Sequence, residues 1–304
     1  MKAFPKNSRV CFIGDSITHN NGYVSHIVRH YRENLKELNV NFYNCGIAGG
    51  SLATTLTVLD EDVFSHKPTH AVIMIGMNDS GRDHLKKERG EERYKLLRDA
   101  FEKYKENYSL LLGRLEEKGV KIILCTPTPY DEYRSEGYDV LPGGFALIAA
   151  YADYVRTLAA QSGYPLCDYH TYISKLAQTQ EVINPDRVHP NEDGHYHIAK
   201  CFLAFQGLEI DEKKPFPQYM SAWREKVEIL RNLRATEHLC IKDYSLSEED
   251  RIKRAQKCLV DMPKEQKGNM FWNLLEDYIK FKPLQKHLER ECSEIMENMQ
   301  GGSE

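Results

Sequence analysis

Several features are scarce or missing in these 304 residues, and each absence removes a class of protein. The eight cysteines include no Cys-x-x-Cys pair, which removes the common zinc-ligand and dithiol redox spacings. No apolar run approaches the roughly 20 residues that a membrane-spanning helix needs. The first one, Val10 to Ile13, follows a stretch (Met1 to Ser8) too polar for the apolar core of a signal peptide. Charge of one sign is also lacking: the net value is -4, with no basic field to attract nucleic acid. There is no internal repeat and no low-complexity tract. These absences lead us to expect an intracellular protein with no membrane span and no nucleic-acid partner.

What is present is ordinary globular composition, 41% hydrophobic and 28% charged. Cys11, Cys45 and Cys125 lie in or just after apolar, strand-like runs, and Cys167 closes a short one. In such places cysteine serves as a small buried hydrophobe. Reduced thiols fit a cytoplasmic address.

Along the first two-thirds of the chain, strand-like and helix-like segments alternate. Val10–Ile13, Ala71–Ile75 and Val120–Cys125 are short apolar runs rich in β-branched residues; Val40–Tyr43 and Tyr164–Cys167 are weaker ones. Near-continuous apolar strands suit a parallel sheet covered on both faces. Segments 22–38, 91–117, 143–161 and 191–206 carry apolar residues at helical spacing. The alternation predicts a three-layer α/β/α sandwich with a mainly parallel five-stranded, flavodoxin-like sheet over residues 1–208. Ligands then sit at the carboxyl ends of the strands.

From about residue 209 the pattern changes. The breaker-rich Lys213-Lys214-Pro215-Phe216-Pro217 leads into charged, helix-favouring stretches at 218–236, 247–260 and 268–299. They form a helical carboxy-terminal extension, 209–304. Its stripes (Trp223, Val227, Leu230, Leu233 and Phe271, Leu274, Leu275, Tyr278) either dock on the main domain or form an interface, including one between copies of the chain.

Four short blocks fall at strand ends or before a helix. Ile13-Gly14-Asp15-Ser16-Ile17-Thr18 ends the first strand and sets Ser16 over the sheet edge; Asp15, Ser16 or Thr18 would equally cap the next helix. Asn44-Cys45-Gly46-Ile47-Ala48-Gly49-Gly50-Ser51 follows the second strand, its glycines freeing backbone N–H groups for a ligand oxygen. Within it, Gly49-Gly50-Ser51-Leu52-Ala53 nearly matches a nucleophile elbow, but Asn44-Cys45-Gly46 separates it from the strand, which favours Ser16. Asn78, in Ile75-Gly76-Met77-Asn78-Asp79, offers a side-chain amide to a developing oxyanion. Finally, Asp186 and His189, three apart in Asn184-Pro185-Asp186-Arg187-Val188-His189-Pro190, can set a carboxylate against imidazole Nδ1 and leave Nε2 to take a serine proton. Asp193, His195 and His197 invite a metal reading, which leaves the first three blocks without a role.

Taken together and in this order, the blocks resemble the SGNH hydrolases, the GDSL-type esterase and lipase superfamily, over about residues 8–206. The resemblance implies Ser16 as nucleophile, with Asp186 and His189 completing a triad. It also implies an oxyanion hole made of the Ser16 and Gly49 N–H groups and the Asn78 amide. Block one reads Gly-Asp-Ser-Ile where the name implies Leu. The expected reaction is ester hydrolysis through an acyl-enzyme, with no metal or organic cofactor. Asp15 and three tyrosines of the loop after the fourth strand, Tyr130, Tyr133 and Tyr138, are candidate substrate contacts. Their mix of aromatic and polar groups leans toward short-acyl, acetyl esters of carbohydrate. Lysophospholipase, thioesterase or acyltransferase chemistry on the same residues, and a non-catalytic binding module, are the alternatives.

Overall fold

The computed structural model describes residues 1–87, 89–210 and 212–301. Strand and helix alternate through β1 (Arg9–Gly14), α1 (Ser16–His19), α2 (Gly22–Asn34), β2 (Asn41–Gly46), α3 (Leu52–Asp62), β3 (His70–Met74), α4 (His84–Lys87) and α5 (Gly90–Glu117). The alternation ends with β4 (Lys121–Cys125), α6 (Gly144–Ser162), β5 (Leu166–Cys167), α7 (Tyr169–Leu176) and α8 (Glu192–Phe205). The extension contains α9 (Gln218–Thr236), a π-helical turn (Glu237–Ile241), α10 (Glu248–Asp261), α11 (Met270–Phe281) and α12 (Gln285–Gly301).

The five strands are parallel in the order β2-β1-β3-β4-β5. The chain steps outward from β1 to β2, then crosses back to β3. The strand order reverses between β1 and β3, and in sheets of this kind ligands bind at the carboxyl ends of the strands at such a point. The sheet is buried on both faces because successive side chains point to opposite sides. Val10 and Phe12 of β1, Val72 and Met74 of β3, and Ile123 and Cys125 of β4 pack against α2, α8 and α9. Cys11 and Ile13, Ala71 and Ile73, and Ile122 and Leu124 pack against α3, α5 and α6. Hence the strands read as unbroken apolar runs. Cys11, Cys45, Cys125 and Cys167 are all buried and free.

The structure departs from the periodicity reading in three places. β2 continues to Gly46, because Gly14 and Gly46 remain in register. β5 keeps only Leu166 and Cys167, pairing with Leu124 and Cys125; Pro165 before it has no N–H to give. The stretch 268–299 is two helices: α11 ends at Phe281 and Pro283 opens the turn before α12, since proline supplies no donor to a continuing helix. Helices α3 and α7 had no strong periodicity to announce them.

The first stripe of the extension is divided between two cores, and the second packs within the extension. Trp223 and Val227 join the core on the α2/α8 side of the sheet. Leu275 and Tyr278 pack with Leu233, Ile241 and Ala255 inside the extension, while Phe271 is exposed. Buried charge ties the extension down. Asp62 of α3 receives Arg231 at 2.9 Å and Arg234 at 3.2 Å. Burial alone would raise the Asp62 pKa, but the two guanidiniums pull it down to about 2. Glu237 in the π-helical turn, 2% exposed, meets Arg234 at 2.8 Å, Arg251 at 3.3 Å, Lys282 at 2.8 Å and the Tyr278 hydroxyl at 2.9 Å. Removing one partner of such a group strands the others' charge in a low-dielectric site. Glu237→Ala should therefore lower the unfolding free energy by about 3–5 kcal/mol. Urea denaturation measures it, and an unchanged midpoint would refute the account.

Candidate active site

Ser16 is the first residue of α1, directly after the turn out of β1. A side chain at Gly14 would collide with the Thr18 hydroxyl and crowd the Met74 carbonyl of β3, so only glycine allows this close passage. Asp15 caps α1 by accepting the Ile17 N–H at 3.0 Å. Ser16 Oγ lies 2.8 Å from His189 Nε2, across 173 residues of chain. On the other edge of that ring, Nδ1 is 2.6 Å from Asp186 Oδ2.

The His189 loop is a tight, pinned turn. Asp186 Oδ1 accepts the Val188 and His189 N–H groups at 3.0 and 2.9 Å, and Asn184 N–H donates to the His189 carbonyl at 2.7 Å. Burial alone would raise the Asp186 pKa, but those N–H bonds and the imidazole hold it below the usual carboxylate range. Buried Arg187 donates to the carbonyls of Tyr138, Asp131 and Arg134 at 2.6, 3.1 and 3.0 Å. It thereby fastens the tyrosine-bearing loop to the loop that carries the imidazole. An arginine between Asp186 and His189 carried no sequence signal of that task.

Block two begins with the last three residues of β2, Asn44–Gly46, and turns at Gly49, whose φ of +69° is left-handed and favours glycine. Asn78, beyond β3, donates Nδ2–H to the Gly50 carbonyl at 2.8 Å. Its Oδ1 accepts from Arg82 at 3.3 Å, and Arg82 also holds the Met77 carbonyl at 2.6 Å. Arg82 therefore sets which end of the amide faces the Gly49–Gly50 turn. Sequence reasoning passed over it; its only trace was a position four residues after Asn78. The extension reaches the same turn. Arg231 donates to the Gly46 carbonyl at 3.1 Å, His238 hydrogen-bonds the Gly49 backbone, and Leu239 packs beside Gly49.

Other candidate residues are placed differently from the sequence reading. Asp15 is 2% exposed and committed to its cap, so its reading as a substrate contact is corrected. Tyr130 is equally buried, in a cluster with Met77, Leu141, Ile148 and Val188, and its hydroxyl accepts the Leu141 N–H; it supports the loop from behind. Tyr133 and Tyr138 are exposed. Ser51, the rival nucleophile, caps α3. Asp193 is paired with Lys213, His195 stacks on Tyr23 and His197 lies against Tyr172 and Tyr196, so these three do not converge.

Residues 12–196, more than half of the chain, match the model of the GDSL-like lipase/acylhydrolase family. The chain belongs to that family. It is a serine-dependent carboxylic ester hydrolase. An acetylxylan esterase of Geobacillus stearothermophilus is 27% identical over 218 residues, 66% of this chain and 94% of that protein. The crystal structure of an acetylxylan esterase from the same organism aligns with a TM-score of 0.58 at 24% identity, covering 70% of this chain and all of that one. A gut microbial diltiazem-metabolizing enzyme aligns at 0.77 and 18% identity over 99% of this chain and 96% of its own. At these identities the two structures share the fold; the second shares it through the extension as well. Among the described residues, no helix is long and apolar enough to cross a membrane.

Two acids, Asp15 beside Ser16 and Asp79, on which the charge of Asp15 acts, have raised pKa values. Burial raises Asp15 to about 6 despite the Ile17 N–H bond and the charges of His189 and Arg82. Burial likewise raises Asp79 to about 7 despite its bond from Leu52 N–H. The unfolded chain ionises Asp79 first, near 3.8, so the stability that Asp79 contributes is fully present below that value and is lost as pH rises to about 7. Asp79→Asn keeps the acceptor for Leu52 and removes this titration, so the variant should lose less stability than wild type as pH rises from 4 to about 7. Thermal melts across pH 4 to 8 test it; parallel curves for variant and wild type would count against a raised Asp79.

Proposed function

We propose that Ser16 is the nucleophile, His189 the general base, and Asp186 the group that orients and charge-balances the imidazole. The observation that carries this reading is the unbroken Ser16–His189–Asp186 hydrogen-bond chain. His189 Nε2 takes the Ser16 proton as Oγ bonds to the ester carbonyl carbon. The carbonyl electron pair moves to oxygen, where the Ser16 and Gly49 N–H groups and Asn78 Nδ2–H receive it. Collapse expels the alcohol, which leaves with the proton from His189. Water then repeats the sequence on the acyl-enzyme, releasing the acid and Ser16. Ser16 N–H suits this role because, as the first residue of α1, it has no intrahelical acceptor.

The preferred substrate in this reading is an acetyl ester of a carbohydrate. Two features support it: the likeness to an acetylxylan esterase, and the exposed Tyr133 and Tyr138 beside the pinned His189 loop, whose aromatic faces suit sugar rings. Ser16→Ala should lower kcat on p-nitrophenyl acetate by roughly 10⁴ or more. Asn78→Ala should lower it by about 10²–10³, and wild type should favour acetyl over octanoyl esters. Undiminished turnover in Ser16→Ala, or a preference for the longer chain, would overturn the corresponding part.

A further inference from the structure

The connection before α9 folds back over the segments that carry the Ser16–His189 pair and closes a cavity beside them. Asn20 and Gly22, just after α1, and Pro190 and Asn191, just after His189, line one side; Lys213–Phe216 and Arg224 line the other. Its volume of about 690 Å³ lies within the roughly 300–1,000 Å³ usual for small-molecule sites.

The charge inside is unbalanced. Of the charged residues in the lining, Lys213 is paired with Asp193 at 2.6 Å and reaches Glu192 at 3.9 Å, whereas Lys214 and Arg224 have no ion-pair partner among the described residues. Arg224 lies 4.4 Å from the Phe216 ring centroid. No carboxylate among the described residues comes within ion-pair distance of Arg224; Glu192, at the same cavity, and Glu228 act on it from farther away. Two buried imidazoles complete the lining. His195 is 6% exposed, and its Nδ1 has no hydrogen-bond partner. His26 lies between the Phe216 and Tyr196 rings. Burial first, then nearby cations, takes His195 down to about 3 and His26 to about 4, so both are neutral and each keeps one donor and one acceptor. His189 is among the charges acting on His195, which places the cavity close to the reacting centre.

A guanidinium held over an aromatic ring, without an ion-pair partner, suits a planar carboxylate. Neutral imidazoles and asparagine amides suit sugar hydroxyls. We infer that this cavity is a subsite for the alcohol part of the ester, and that Arg224 selects sugars bearing a carboxylate. The inference rests on the carbohydrate-ester reading above.

The test reads binding separately from turnover. Full-length Ser16→Ala would be titrated calorimetrically with an oligosaccharide ending in glucuronate and with the same oligosaccharide ending in glucose. At least tenfold tighter binding of the acidic sugar is expected, with the difference abolished by adding Arg224→Gln and largely lost in 0.5 M sodium chloride. Equal affinities, or a preference that survives both the substitution and the salt, would overturn the inference. The salt arm decides the matter if Arg224→Gln does not fold. A wild-type protein that bound the acidic sugar but cleaved no p-nitrophenyl acetate would defeat the ester reading and leave the carboxylate site standing.

Discussion

A 2.8 Å contact between a hydroxyl and an imidazole 173 residues apart sets the demand that the rest of this architecture meets. Neither group has a local reason to approach the other. Parallel strands bring them together, because every strand end that carries a polar block emerges on the same edge of the sheet. The order β2-β1-β3 places the turns after β1, β2 and β3 side by side, and the Asp186–His189 turn closes over them. Each approach is then locked by backbone hydrogen bonds: Asp15 on α1, Asp186 on its own turn, Asn78 on Gly50. Little rotamer freedom remains to be lost when a transition state forms, which is the physical content of preorganisation.

The helical extension takes part in this constraint. Asp62 and Glu237 are buried acids with two and three cationic partners, and Arg231, which holds Asp62, also holds the Gly46 carbonyl. Buried ion pairs gain little net stability over apolar packing, but leaving one unpaired is costly. Such a network therefore penalises any arrangement other than the one that seats α9 against the second block. The extension, which looked like an appendage, meets the site from two directions. His238 and Leu239 reach Gly49, and the chain from Lys213 to Arg224 walls the neighbouring cavity.

Much of the fold was legible because buried parallel strands leave a one-dimensional trace. Val10–Ile13, Ala71–Ile75 and Val120–Cys125 became β1, β3 and β4 within a residue or so. The weak edges were less so: β5 depends on pairing with β4, and no local preference of Tyr164–Cys167 specifies how far that pairing runs. The same division holds at the site. Ser16, Asn78, Asp186 and His189 stood out because glycines and strand ends mark turns where polar side chains have no packing task. Arg82 and Arg187 did not, because a surface arginine and one that binds three carbonyls look alike in a string. Tyr130 misled for the converse reason, since an aromatic residue in a polar loop gives no sign of which way its ring turns.

By itself, then, the chain's sequence determined the parallel α/β sandwich, the helical character of everything after α8, and which few polar residues had no structural reason to be where they are. It did so through periodicity and turn chemistry, both local. Tertiary structure alone decided that Asp15 and Tyr130 face inward, that Arg82 orients Asn78, and that the extension borders Gly49 and the cavity around Arg224. Those outcomes depend on contacts between residues tens to hundreds of positions apart, and burial, charge pairing and pKa exist only once the chain has closed on itself.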